Sequence, residues 1–197
     1  MKNAFSNAFS WEVYYMNSST GGNPMSSQES GGVGFEQNGS TLQLWIHIGG
    51  SYKTINTITI NSGQYYHIVA TYDKTAGKVK IYADGSIVNE TAVSGNFGFP
   101  ATGAQWIGIG ADANASGGQF PLGGEVAIAR MYGKVLSRDE VALLYADRIY
   151  TPPTNISDIP TDGYTISTEG KTIYVKGLPS SAVVSVYNLL GEKHAVA

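Results

Sequence analysis

Residues 65–85 read YYHIVATYDKTAGKVKIYADG, and this stretch decides the fold. Ile68, Ala70 and Tyr72 alternate with His67, Val69 and Thr71, the period of two that marks a β-strand. Asp73 to Gly77 has loop composition. Val79, Ile81 and Ala83 then alternate with Lys78, Lys80 and Tyr82, which predicts a second strand with one apolar face. Asp84-Gly85 closes it with a tight hairpin corner, because a type I′ turn needs positive φ at both central residues. Ser86 to Val88 resumes the strand.

Working outward, the same pattern recurs. Phe9 to Met16 predicts a strand with Trp11, Val13 and Tyr15 on one side and Glu12 and Tyr14 on the other. Asn17 to Gly32 reads as a loop rich in Ser, Gly and Asn. Gly34 to Gln37 predicts a short strand and Asn38-Gly39 a hairpin turn. Leu42, Leu44, Ile46 and Ile48 alternate with Gln43, Trp45 and His47, the cleanest alternation in the chain. Tyr52 to Ile60, Trp106 to Gly110 and Glu125 to Tyr132 predict further strands. Val135 to Tyr145 is the one predicted helix: Ser137 as N-cap with Glu140 three positions on makes a capping box, and Val141, Leu144 and Tyr145 form its apolar face. These elements make an all-β fold of two antiparallel sheets, with one short helix near the end.

Composition agrees. The chain has 197 residues, only 14% of them charged, with 25 glycines and a net charge of −3. That suits one all-β domain plus a small appendage. The charge balance gives no basic footprint, so nucleic acid is not an expected partner. No apolar run reaches the length of a membrane helix, so membrane insertion is not expected. There are no cysteines, which excludes disulfides and thiolate metal sites. Met1-Lys2-Asn3 leads into strand-like sequence without an apolar signal region, so a secreted protein would carry its signal upstream.

Several of these motifs resemble those of the laminin-G-like, concanavalin A-like jelly-roll family. Tyr65 to Asp73 is similar to that family's "W-H-H-V-A-V-T-Y-D", and Ile81 to Gly85 to its "l-Y-v-D-G". Phe9 to Met16 is similar to its "F-T-I-E-A-W-V". The ordered set from Gly108-Ile109-Gly110 through Arg130, Tyr132, Leu136-Ser137 and Glu140-Val141 to Leu144-Tyr145 is its closing signature. The resemblance spans roughly residues 5–148 and implies a two-sheet jelly-roll sandwich. A strand that the family places ahead of Phe9 is missing or reduced, which points to a fragment of a multidomain protein.

A domain over 1–150, a linker over 151–163 and a partial β unit over 164–197 are expected. Pro152, Pro153 and Pro160 mark the linker. Thr172 to Val175 and Val183 to Gly191 read as strands, and the latter resembles the start of the β-sandwich export tail of certain Bacteroidetes surface proteins.

The residues give little sign of catalysis. Glycosidases of this fold pair carboxylates on one strand, whereas Glu12 stands alone on its own. His47, His67 and His194 have no metal-ligand spacing. No cofactor is required. The resemblance implies a structural Ca²⁺ near the closing strand, but Ala127 stands where the family has Asp, and this disfavours the site. Asp112 and Asn114 in a Gly-rich loop have the oxygens to bind Ca²⁺, though such loops more often carry Asp and Asn for turn chemistry.

A lectin-like function is expected instead. Sugars stack on aromatic rings while amides and carboxylates hold their hydroxyls. Tyr14 beside Glu12, Trp45 between Gln43 and His47, and Tyr82 beyond Lys80 are the aromatics on polar strand faces. If their strands neighbour one another they form a platform of Glu12, Tyr14, Gln43, Trp45, His47 and Tyr82. Trp106 and Trp11 are expected in the core. The resemblance thus implies a non-catalytic glycan- or polymer-binding module of a secreted or cell-surface protein, appended to the catalytic domain of a hydrolase. The alternatives are a structural or protein-interaction domain that packs on its parent enzyme, and a divergent hydrolase with two carboxylates converging in the groove.

Overall fold

A computed structural model describes residues 5–18, 21–101, 104, 106–114, 117–148, 165–169, 172–177, 185–187 and 193–196. The chain divides into two compact units, Met1–Tyr150 and Thr151–Ala197.

The first unit is an antiparallel sandwich of two five-stranded sheets. The first sheet runs in the order β12 (Gly124–Tyr132), β1 (Ala8–Asn17), β6 (Tyr65–Asp73), β7 (Lys78–Ala83) and β8 (Ser86–Ala92). The second runs β5 (Ser51–Thr59), β4 (Thr41–Ile48), β3 (Val33–Asn38), β2 (Gly21–Ser27) and β9 (Gly108–Ile109). A small hairpin, β10 (Asp112–Asn114) with β11 (Gly117–Gln119), follows β9.

The alternation in the sequence is the cause of this arrangement. Phe9, Trp11, Val13 and Tyr15 of β1 face inward with Tyr66, Ile68, Ala70 and Tyr72 of β6 and with Val79, Ile81 and Ala83 of β7. Phe35 of β3 and Leu42, Leu44, Ile46 and Ile48 of β4 face them from the other sheet, all buried. Together they form one continuous apolar layer between the sheets. Asp84 and Gly85 both have positive φ (47° and 77°), the type I′ corner that joins β7 to β8. At the β3–β4 corner the turn is Gly39-Ser40, one residue later than the Asn38-Gly39 reading, since Asn38 still pairs with Thr41.

Two expectations change. β2 occupies part of the stretch 17–32 read as loop. Its sequence, GGNPMSS, hides a strand behind glycine, proline and serine, yet six of its seven residues are buried. Trp106 is 37% exposed rather than in the core, and the strand beside it shrinks to Gly108–Ile109.

The helix α1 (Arg138–Arg148) lies on the outer face of the first sheet. Val141 is buried there against Val69, Tyr82 and Leu136, with Leu144 and Tyr132 packed around them. Ser137 is its N-cap: the Glu140 N–H donates to Ser137 Oγ at 3.2 Å and the Ser137 N–H donates to Glu140 Oε2 at 2.8 Å. Lys134 and this capping box together pull the Glu140 carboxyl down to about 2. Replacing Ser137 by Ala is expected to cost about 1 kcal/mol, read as a lower urea midpoint with an unchanged slope.

In the second unit, β13 (Thr165–Glu169) pairs with β14 (Thr172–Lys176), and β15 (Ser185–Tyr187) pairs with β16 (Lys193–Val196), both antiparallel. β13 and β16 were not read from the sequence. The proposed linker 151–163, Val183-Val184 and Asn188 to Gly191 lie outside the described residues.

Candidate binding face

The six residues expected to share one platform fall on two different sheets. Glu12 and Tyr14 lie on β1 and Tyr82 on β7, in the first sheet; Gln43, Trp45 and His47 lie on β4, in the second.

On the first sheet the outer face is closed by α1. Glu12 is wholly buried, and Tyr82 is 3% exposed. Glu12 Oε1 is 3.2 Å from Nε2 of the buried His67, its partner strand's residue, while Tyr132 Oη donates to Glu12 Oε2 at 2.5 Å. The Arg130 guanidinium stands 3.6 Å from the same oxygen. Burial pushes the Glu12 carboxyl up, but the bonds from His67 and Tyr132 and the charge of Arg130 outweigh it and hold Glu12 below the usual 4.5. Burial and the bond to Glu12 push the Tyr132 hydroxyl up to about 12. Tyr145 of α1 stacks on His67, with ring centroids 6.0 Å apart at 12°. Glu12 and Tyr82 are therefore part of the helix-to-sheet packing and cannot stack or hydrogen-bond a sugar. Tyr14 stays half-buried, its ring 4.9 Å from that of Tyr65.

On the second sheet the outer face is open, polar and aromatic. The register sets Trp45 opposite Thr54, His47 opposite Tyr52, and Gln43 opposite Asn56. Gln43, Trp45, His47 and Tyr52 are each half-buried. Tyr52 sits edge-on to both Trp45 (6.2 Å) and His47 (5.0 Å). Its hydroxyl accepts from Gly31 N–H at 2.8 Å and lies within 2.9 Å of the Gln28 and Gly31 carbonyls, so it ties down the 28–32 turn. That turn runs through positive φ at Ser30, Gly31 and Gly32.

Across the sheet, Trp45 pairs with Gly34 and Gly34 with Ser26. A Cβ on Gly34 would come within 2.6 Å of both Ser26 Oγ and Gln28 Oε1, so the glycine leaves room for these side chains between Trp45 and β2. Between the Gly22–Gln37 and Met25–Phe35 pairs, Asn23 and Pro24 of β2 oppose the single residue Glu36, which is a β-bulge. Proline has no N–H for the ladder, so it suits that irregular position, and bulges re-aim side chains beside binding sites. Asp112, from β10, reaches Ser26, whose Oγ is 2.5 Å from Asp112 Oδ1 and 2.8 Å from Gln28 Oε1. Asn23 Nδ2 donates to Gln28 Oε1 at 3.3 Å.

Three polar atoms of this face, Asn23 Oδ1, Trp45 Nε1 and His47 Nδ1, are buried without a hydrogen-bond partner. Each such atom costs about 1–3 kcal/mol when it stays unmet, so each calls for a partner such as a water or a bound ligand. The sequence reading put Gln43, Trp45 and His47 on one polar face and singled out Asp112 only as an oxygen ligand for Ca²⁺ or a turn residue; it did not single out Asn23, Ser26, Gln28, Glu36 or Tyr52. The available signal was Asn23-Pro24 inside a stretch read as loop, where a proline in a strand means an edge or a bulge.

No group of three or more His, Asp or Glu fit to hold a metal is present among the described residues.

Residues 2–142 match the profile of the concanavalin A-like lectin/glucanases superfamily. The chain belongs to this superfamily. Solved structures of similar fold include a Ruminococcus gnavus sialidase carbohydrate-binding module (CBM40) bound to α2,3-sialyllactose, with 16% identity and a TM-score of 0.59 over 73% of this chain and 85% of that one. A putative carbohydrate-binding protein from Bacteroides ovatus aligns with 18% identity and a TM-score of 0.55, over 69% of this chain and 40% of that one. The receptor-binding domain of a botulinum neurotoxin C/D mosaic aligns with 14% identity and a TM-score of 0.59; the match covers 75% of this chain but only 38% of the toxin domain. At these identities the likeness is one of fold. No curated protein matches the chain in sequence. Within the superfamily fold, the open outer face is that of the second sheet, while α1 covers the first.

Proposed function

We propose that the first unit is a non-catalytic, lectin-like module that binds glycan on the outer face of the second sheet. The observation that carries this reading is the half-exposed Trp45–Tyr52 pair, set among Gln43, Asn56, Gln28 and Asp112. The flat rings supply stacking surface, and the amides are matched to hydroxyls. Unlike Glu12 and Tyr82, the Trp45, Tyr52, Gln43 and Gln28 side chains are half-buried and Asn56 is exposed, while Asp112 is buried against Ser26. The carbohydrate-binding modules of similar fold support the reading. In it the module works outside the cell, attached to a hydrolase whose substrate it holds close by effective concentration, and the second unit serves as an export tail.

The test is a glycan array probed with the full chain and with Trp45→Ala. Wild type should bind a defined set of glycans, and Trp45→Ala should lose at least about tenfold in affinity, roughly 1.4 kcal/mol, with an unchanged circular dichroism spectrum. Equal binding by the variant would remove Trp45 from the site.

A second reading, a protein-docking module, draws on Ile109 and Phe120, which are 61% and 62% exposed beside β2. Phe120 also holds a positive φ of 47°, a costly conformation for a bulky side chain. An array without any bound glycan, together with stable capture of a partner that Phe120→Ser abolishes, would favour it.

A further inference from the structure

We infer that the cavity between the two sheets, where β1 and β12 face β2 and β3, is a second ligand site, built for a small neutral aromatic molecule with one oxygen acceptor, of which phenol is the simplest. This site is separate from the outer face of the second sheet and does not depend on the glycan reading.

The cavity measures about 70 Å³. One buried water needs ~10–15 Å³, so the space suits roughly five to seven non-hydrogen atoms, the size of a single ring. Phe9 and Trp11 of β1 and Met131 of β12 wall it on the first sheet, where Trp11 and Met131 are a cross-strand pair. Phe97 and Phe99, from the segment after β8, close it on another side. Phe97 stands edge-on to both Phe9 and Phe99, with ring centroids 4.9 Å apart in each case. Walls of this kind accept a further ring in edge-to-face or offset packing. Ile107, at 36% the most exposed of the lining residues, marks the mouth. No ionisable side chain lines the cavity among the described residues, so a charged ligand would be buried there without a counter-ion.

Two polar groups set the rest of the ligand's chemistry. Ser27 pairs with Val33, a core residue, and residues directly opposite one another share a face, so the Ser27 side chain points between the sheets. Ser27 is 8% exposed and Trp11 is 4% exposed. Neither the Ser27 hydroxyl nor the Trp11 indole N–H makes a hydrogen bond to any described residue, and both side chains line the cavity. A buried hydroxyl or indole N–H left unmet costs free energy, and an inward strand position ordinarily takes an apolar side chain. The hydroxyl can donate and the indole can only donate, so a ligand oxygen that accepts answers both. The ring of the same ligand fills the apolar remainder. Water is a poor substitute, because it needs several polar partners and the walls are mostly apolar.

The test titrates the full chain with phenol and with benzene, read by the tryptophan indole signals of ¹⁵N–¹H spectra. Phenol should move the Trp11 signal in a saturable way, leave Trp45 in place, and bind roughly three- to tenfold more tightly than benzene, the fold-change of one hydrogen bond. Ser27→Ala should bring the phenol-to-benzene ratio toward one. Ser27→Leu fills the cavity with its own side chain and should abolish binding of both probes; if it overpacks the core and fails to fold, Ser27→Ala, which only removes the hydroxyl, still decides. A Trp11 signal that phenol does not move overturns the site. Phenol binding that survives in a folded Ser27→Leu places the molecule elsewhere and overturns it too. Equal affinity for phenol and benzene in the wild type, or an unchanged ratio in Ser27→Ala, overturns the ligand class.

Discussion

Replacing Glu12 by Ala is expected to lower the stability of the first unit by about 3–5 kcal/mol, because it strips a buried charge network of its centre. Glu12 and His67 are both fully buried on neighbouring strands, and Tyr132 and Arg130 converge on the same carboxylate. Removing the carboxylate leaves the fully buried His67 imidazole and the half-buried Tyr132 hydroxyl to find new partners. Denaturant unfolding followed by circular dichroism checks this. The pH dependence carries a sign. Glu12 is held below its ordinary 4.5 in the folded state, so its contribution is complete above about pH 4.5 and disappears as pH falls through the lower folded value. Glu12→Gln should flatten that acid limb. Replacing Glu12 and His67 together by apolar residues should cost less than Glu12→Ala alone, since the buried imidazole is then no longer left without its carboxylate. An Ala variant within about 0.5 kcal/mol of wild type would contradict the assignment of Glu12 to packing rather than to a ligand.

Gly32→Ala is expected to cost about 3 kcal/mol or more and to damage the binding face as well. Gly32 has φ +95°, and a Cβ there would lie 1.8 Å from the Ser27 carbonyl oxygen, a backbone atom with no room to yield. Gly32 N–H donates to the Gly98 carbonyl at 2.6 Å, and its own carbonyl accepts from His47 N–H at 2.9 Å. The strain therefore passes to β4 at His47 and to the 28–32 turn that Tyr52 holds. The same unfolding measurement reads the stability loss, and glycan affinity reads the damage to the site. Gly39→Ala serves as the comparison: its φ is also positive, at 62°, but nothing lies near its would-be Cβ, so it should show only the smaller conformational cost.

These two residues also show how far the sequence alone could lead. Strands with strict alternation, β1, β4, β6 and β7, were legible because burial on one face forces a period of two. Asp84-Gly85 and the Ser137–Glu140 capping box were legible because their chemistry is local. β2 was not, since its stability comes from pairing with β3 and β9 and not from its own Gly, Asn, Pro and Ser. The site divides the same way. Gln43, Trp45 and His47 could be put on one polar face from their spacing. Whether Glu12 and Tyr82 joined them depended on which sheet each strand entered and on where α1 settled. The alternation of β1 and β7 is identical whether the second face meets water or a helix, so spacing could not separate the two cases. The Ser26–Asp112 contact depends on a hairpin 86 residues further along the chain, and no local pattern announces it.

The most direct measurement is a ¹⁵N–¹H spectrum of the full chain during glycan titration, watching the three tryptophan indole signals, assigned with Trp45→Phe and Trp106→Phe. Trp11 is buried between the sheets, Trp45 stands on the outer face of the second sheet, and Trp106 is exposed beside β9. A bound glycan should move the Trp45 indole signal in a saturable way and leave Trp11 in place. A Trp45 signal that stays fixed while a glycan demonstrably binds would contradict a site on the second sheet and move it elsewhere on the protein.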